Sequence, residues 1–289
     1  MTTCGSPSPQ QGDAAHSTVL VTGGTGFVGR QVVRCLLDAK CRTRILCRSV
    51  PAKVDLDERL DAIHVTTNLF SDPAEKLAEF IQDVDTLIHC AWCVGLPDYV
   101  TAIDNVECLQ GTIRLAQVFA AQGGRRFIGV GTCAEYDHSG GVLTPTTPLQ
   151  PTNLYAACKA AAYLTLNSLL LQQGVSFSWC RLFYLFGEGE RRDRLVPALR
   201  DRLKKGLSIP LTSGNQVRDF LDVREAGRMI ADAALSDETG PINICSGQGI
   251  TVREFVEGIG DEYGRRDLLR FGERSSNLFD PPVIIGRRN

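Results

Sequence analysis

The chain has 289 residues, enough to bury a sizeable core as one large domain or as a major and a minor one. Its 43% hydrophobic and 22% charged residues are ordinary for a globular protein, and a net charge of -2 makes no electrostatic case for nucleic acid or an anionic membrane as a partner. No apolar run is read as approaching the roughly 20 residues of a membrane span. Residues 1–16 lack a signal peptide's charged and apolar regions and read as a disordered leader, so the cytoplasm is the expected location.

In chain order, the spacing predicts a strand over 18–22 that runs directly into glycines, then a helix over 27–39. Strands follow at 44–47 and 62–65, a helix at 73–82 and a strand at 86–90. A long helix fits 99–121, a strand 126–131, a second long helix 152–173 and a strand 176–183. Several of these strands are apolar on both faces, the mark of a parallel sheet covered by helices on each side. After 187 the pieces shorten: a basic helix at 194–205, a strand at 217–221 and helices at 223–235 and 251–263. The expected fold is therefore α/β, a Rossmann-type doubly wound parallel sheet over 17–186. Residues 187–289 are read mainly as a small α/β substrate-binding lobe that does not extend the sheet.

Eleven cysteines are scattered and odd in number, and are read mostly as small reduced core residues. Only Cys90 and Cys93 form a C-x-x-C, with no second pair to complete a zinc site, and a dithiol redox role there lacks a thioredoxin-like context. Four dispersed histidines suggest no metal site.

"VLVTGGTGFVGR" places Gly23, Gly26 and Gly29 at the first strand-to-helix turn. Gly23 permits the tight turn, Gly26 lets the backbone approach a pyrophosphate, and Gly29 allows close packing of helix on strand. The helix N-terminus faces the anion. Thr25, Phe27 and Val28 complete this dinucleotide loop, and no G-K-[ST] follows to make it a nucleoside-triphosphate loop. After the second strand comes Cys47-Arg48-Ser49, without the acid that would hold an NAD ribose. Arg48 favours NADP(H) over NAD(H), the alternative being a solvated surface charge.

Tyr155 and Lys159 stand four apart on a predicted helix, hence on one face. A free phenol titrates near 10, and an ammonium close by is expected to lower that value by roughly 1–3 units. Thr132, just past the strand 126–131, supplies a hydroxyl where sheets of this type bind ligands.

With these residues the chain resembles the extended short-chain dehydrogenase/reductases, the NAD(P)-dependent nucleotide-sugar epimerase/dehydratase family. The resemblance covers about 18–285 and rests on TGGTGFVG, IHCAW, GTCAEY, YAACK and VRDFLDV. It implies that Thr132, Tyr155 and Lys159 are the catalytic triad, Tyr155 and Lys159 also touching the cofactor. Cys90, Ala91 and Trp92 would line the cofactor site, Trp92 standing where the family's H-x-A-A ends in alanine. Asn68-Leu69 occupies the place of the usual Asp-Leu beside the adenine. In sugar-nucleotide dehydratases the turn reads Thr-Asp-Glu, whereas here Cys133-Ala134 replaces the two acids, and alanine cannot transfer a proton. Cys133 also sits one residue beyond the triad hydroxyl, where fucose-synthase-type enzymes place an epimerising cysteine two beyond. Glu135 is read either as loop support or as a contact to a sugar hydroxyl.

By the same resemblance Arg218 grips the substrate diphosphate, the bland alternative being a surface pair with Asp219. Tyr184 replaces the usual Asn of the family's R-x-F-N, and together with Thr132 and Cys133 it is a candidate substrate contact. The basic run 191–194 is read as a solvated loop, the alternative being a segment that closes over a nucleotide. The expectation is an NADPH-dependent 4-ketoreductase acting on a nucleotide-linked 4-keto-6-deoxyhexose, with Tyr155 as proton donor. Its rivals are a 4-epimerase with tightly bound NAD and a non-catalytic cofactor-sensing scaffold. The resemblance further implies a homodimer through helices 99–121 and 152–173.

Overall fold

The structure, a computed structural model, describes residues 17–49, 57–95, 98–275 and 280–288, so the expected leader lies outside the described residues. The first part runs β1 (Thr18–Thr22), α1 (Gly29–Asp38), β2 (Arg42–Cys47), β3 (Ala62–Val65), α2 (Ala74–Ile81), β4 (Thr86–His89), α3 (Asp104–Ala121) and β5 (Arg126–Thr132). A two-residue β6 (Val142–Leu143), α4 (Leu154–Gln172) and β7 (Ser176–Leu182) follow.

The alternation along β1 shows how the layers form. Val19 and Val21 join Val32, Val33, Leu36 and Leu37 of α1 in one core, whereas Leu20 joins Leu77 of α2, Leu115 and Phe119 of α3 and Leu166 of α4 in the other. Both faces of the strand are thus covered, as parallel sheets require. Each such buried aliphatic side chain stabilises the fold by roughly 1.5–3 kcal/mol.

After β7 come β8 (Tyr184–Phe186), α5 (Leu195–Lys204), β9 (Ile209–Leu211), β10 (Val217–Arg218), β11 (Phe220–Asp222), α6 (Val223–Leu235) and β12 (Gly240–Ile244). The chain ends with β13 (Ile250–Thr251), α7 (Val252–Glu262), β14 (Leu269–Phe271) and β15 (Val283–Gly286). The seven-stranded sheet has the order β12-β7-β5-β4-β1-β2-β3 with every pairing parallel.

The expected boundary at 186/187 is corrected here. β12 pairs with β7, and Ala226, Ile230 and Ala231 of α6 pack into the same core as α1. The remaining pieces do form a lobe with its own core, built from Val196, Leu199, Ile209, Val256, Ile259 and Leu268. Its small sheets are β13-β10-β15-β6, β11-β8 and β14-β9.

α4 also departs from expectation. At 19 residues and mean hydropathy 1.3 it is long and apolar enough to cross a bilayer by length and composition. In the fold its Ala162, Leu166 and Leu170 pack into the sheet's core, so one side of the apolar helix is used against β5 and β7.

Candidate active site

β5 delivers Thr132 to the carboxyl end of the sheet, and a short turn fixes it there. The Thr132 hydroxyl accepts from Ala134 N at 3.3 Å, and Glu135 Oε1 accepts from Thr132 N at 2.8 Å. This reciprocal capping makes Cys133–Glu135 one turn of 3₁₀ helix. Glu135 is fully buried: Trp179 Nε1 donates to its carboxylate at 3.0 Å and Arg181 Nε at 2.7 Å. Arg181 Nη1 then donates to Tyr136 Oη at 3.0 Å, and Tyr136 donates to Asn243 Oδ1 at 2.7 Å. Glu135 is therefore engaged in holding the turn, the first of its two expected roles. Gly131 is required beside it, because a Cβ there would lie 2.2 Å from Trp179 Nε1 and 2.4 Å from Glu135 Oε1.

Asn153 caps α4 by accepting from Ala156 N at 3.0 Å, which sets the helix phase. Tyr155 and Lys159 then project one turn apart toward Thr132. Burial and the nearby Tyr99 and Glu135 push the Tyr155 phenol's pKa up, against a smaller lowering by the neighbouring Thr132 hydroxyl. The expected lowering by Lys159 does not appear among the influences on the phenol; desolvation dominates, and the phenol is held in its protonated form. Lys159 is 3% exposed, and its ammonium donates to Val130 O at 2.6 Å. Burial brings its pKa down to about 8, against the opposing pull of Glu135, Cys108 and Cys90.

Over that ammonium lies Trp92, with its ring centroid 3.7 Å from Lys159 Nζ. The indole Nε1 donates to Asn105 Oδ1 at 2.8 Å, and Asn105 Nδ2 donates to Tyr99 O at 2.6 Å and Ala102 O at 2.8 Å. The rings of Tyr99 and Trp92 stand edge-on to Tyr155 at 5.1 and 6.4 Å. Asn105 and Tyr99 were not anticipated as site residues. Asn105 is buried, two residues into a helix, and a polar residue at such a place signals an interior partner. His89, closing β4, bridges Thr22 Oγ1 and Thr112 Oγ1 at 2.8 and 2.9 Å, and burial lowers its pKa to about 3, so it is neutral.

The glycine loop fits a dinucleotide. Gly23 has φ +67°, and a Cβ on Gly29 would lie 2.2 Å from Gly23 O, so the helix approaches the loop as expected for a pyrophosphate cradle. Thr25, Phe27 and Val28 are partly exposed around it, and Gly26 is exposed. Cys90 and Ala91 follow β4 beside Gly23, whose own Cβ would meet the Ala91 backbone at 3.0 Å. Arg48 is exposed, and its charge reaches Cys93. Leu69 is buried, and the Asn68 side chain is engaged locally, Nδ2 donating to Glu107 at 2.8 Å and Oδ1 accepting from Phe70 N at 3.1 Å.

Cys93, of the C-x-x-C, lies against Cys108: its N–H donates to Cys108 Sγ at 3.4 Å. The neighbouring Cys108 thiol lowers the Cys93 pKa to about 7, while burial raises that of Cys90 to about 12. Cys133 packs among Tyr136, Leu143, Phe183 and Cys245, and burial raises its pKa to about 12, so it keeps its proton. Arg218 is 3% exposed and donates to Asp280 Oδ1 at 2.6 Å, not to Asp219, which instead accepts from Ser246, Gly247 and Gly286 N–H groups. Arg218 still lies against Tyr184, 5.3 Å from the ring centroid, and both bear on the Cys133 side of the turn. In the loop 191–194, Arg191 pairs with Asp193 and donates to Val94 O at 2.8 Å, beside the Trp92 segment.

A dTDP-6-deoxy-L-talose 4-dehydrogenase (NAD(+)) of Aggregatibacter actinomycetemcomitans is 22% identical over 282 residues, covering 93% of this chain and 99% of that protein. A GDP-6-deoxy-D-mannose reductase of Pseudomonas aeruginosa is 28% identical, over 84% of this chain and 79% of its own. The solved structure of a UDP-N-acetylglucosamine 4-epimerase from Methanobrevibacter ruminantium superposes with a TM-score of 0.84 at 23% identity, over 94% of this chain and 90% of that one. The model of the NAD dependent epimerase/dehydratase family matches residues 19–245, and the chain belongs to that family.

Proposed function

We propose that this enzyme is a 4-ketoreductase that reduces a nucleotide-linked 4-keto-6-deoxyhexose at the expense of NADPH. The carrying observation is the placing of the Tyr155 phenol beside the Thr132 hydroxyl at the carboxyl end of β5, with burial keeping the phenol protonated. A protonated phenol beside a second hydroxyl suits a carbonyl oxygen that must gain a proton. The glycine loop and the segment 90–92 would hold the dinucleotide, whose reduced nicotinamide supplies hydride when bound. Thr132 would hydrogen-bond the carbonyl oxygen and Tyr155 would give it a proton. Lys159, charged below about pH 8, would hold the nicotinamide ribose.

Against dehydration, the turn has Cys133-Ala134 in place of the acids, Cys133 holds its proton, and Glu135 is committed to Trp179 and Arg181. Arg218 and Tyr184 would meet the substrate's phosphates, Arg218 exchanging Asp280 for them. Two relatives bear the names of a 4-dehydrogenase and a reductase of 6-deoxysugars, which supports the substrate class. Arg48 supports NADP(H), while NAD(+) in one relative's name makes cofactor choice the part most in need of a direct test.

The test is NADPH and NADH oxidation with 4-keto-6-deoxyhexoses linked to dTDP, GDP or UDP, with products identified by NMR. Stoichiometric oxidation supports the proposal. Interconversion of 4-epimers with no net oxidation, and NAD retained through purification, would replace it with the 4-epimerase reading. We also propose a homodimer through α3 and α4, of which α4 leaves Leu164 and Leu171 57% and 77% exposed. Equilibrium sedimentation giving only monomer would refute it.

A further inference from the structure

A large indole stands where the resembling family has alanine, and it lies against the two groups of α4 that the proposed reaction uses. Trp92 covers Lys159 Nζ at 3.7 Å from its ring centroid and meets the Tyr155 ring edge-on at 6.4 Å. The ammonium also donates to Val130 O at 2.6 Å, with Trp179 farther off at 5.8 Å. The indole is not free to drift. Asn105 holds its N–H and is itself 1% exposed, tied to the carbonyls of Tyr99 and Ala102, and Phe70 meets its ring at 6.3 Å. One buried amide therefore ties the Trp92 ring to the backbone of Tyr99, the two residues whose rings flank Tyr155.

We propose that Trp92 is a positioning residue of this site: its indole, pinned by Asn105, holds the Lys159 ammonium against the Val130 carbonyl and keeps water from it and from the Tyr155 phenol. An ammonium accepts the face of an indole as a weak cation–π partner, but water is the better one. Replacing water by the ring thus leaves the charge attracted yet incompletely solvated. That state suits a group which must let go of one set of contacts and take up a ribose. A small residue at position 92 admits water, and the ammonium becomes easier to form and looser in its orientation.

The groups facing Lys159 are His89 and Cys90 at the end of β4, Cys108 on α3, Glu135 after β5, and Tyr155 on its own helix. His89 is neutral near pH 8 and burial keeps Cys90 protonated, so neither titrates along with the amine in that range.

The inference rests on the reading of Tyr155 and Lys159 as the reacting pair, but its first test needs no substrate. The chain has six lysines, so ε-carbon-labelled protein gives a resolvable NMR titration, with Lys159 assigned through Lys159→Met. The parent midpoint is expected at about 8. Trp92→Phe should keep it, Trp92→Leu should keep it if water exclusion dominates, and Trp92→Ala should raise it by roughly one unit or more. Thermal melting confirms that each variant is folded, and the leucine variant serves if alanine is not tolerated. A folded alanine variant titrating with the parent overturns the inference. So does a leucine variant that rises as far as alanine is expected to, because exclusion of water would then not be what the ring does. Where the parent reduces a keto sugar, Trp92→Ala should lower kcat about tenfold and move the alkaline limb of its pH profile upward together with the NMR midpoint. Absence of turnover by the parent would sink the proposed reaction while the titration still decides the role of Trp92.

Discussion

Two charged groups flank Thr132, and the structure treats them in opposite ways. Glu135 is satisfied on all sides, accepting from Thr132 N, the Trp179 indole and the Arg181 guanidinium. Lys159 is equally buried but has one carbonyl and the face of a ring. A charge whose bonds are complete stays where it is and stabilises the turn. One left short of partners stands ready for a ligand, and its pKa moves toward neutrality. Burial alone therefore does not separate scaffold from chemistry, whereas the completeness of the bonding does.

The contrast breaks most visibly at Tyr155. Tyr155→Phe should cut kcat/KM for the keto sugar by about 10²–10⁴, the usual contribution of a positioned proton donor. Cofactor affinity and melting temperature should stay near those of the parent, and undiminished turnover would defeat the mechanism. Glu135→Ala should act on the other side, costing roughly 3–5 kcal/mol because Arg181 is left buried without its counter-charge. Chemical denaturation reads this directly. A variant as stable as the parent but inactive would return Glu135 to the substrate.

The alkaline limb sharpens the comparison. Lys159 is cationic below its pKa of about 8 and neutral above it, whereas Tyr155 stays protonated throughout this range. Reduction should then fall as pH rises through about 8, and a limb near 10 instead would mean that burial does not govern the amine. Arg48→Ala should have the smallest effect, weakening NADPH about tenfold while leaving NADH unchanged, as measured by fluorescence titration. Equal loss for both cofactors would remove Arg48 from the choice between them.

Much of this arrangement was legible in the chain because it is local. The glycine spacing, the Tyr155–Lys159 interval and the hydroxyl ending a strand each lie within a dozen residues, where period and turn chemistry speak plainly. What was missed depends on distant partners. Glu135 meets Arg181 across neighbouring strands, 46 positions apart, and Arg218 meets Asp280 rather than the adjacent Asp219. The phenol's raised pKa comes from being covered, which no interval of residues reveals. Trp92 carried a signal, a large ring in a small-residue motif, but its anchor on Asn105 needed the fold. β12 escaped notice because GPINI is five residues long and opens with Gly-Pro, a pair that reads as a turn.

That last strand has a practical meaning. Since the chain leaves the main sheet after β7 and comes back to lay β12 alongside it, the lobe is an excursion with both ends moored, not a detachable module. A fragment ending at 186 would lose the cover of α6 and bare the full length of β7, an apolar rim inviting association with other chains. Dissection of this enzyme into a cofactor half and a substrate half should accordingly yield aggregates.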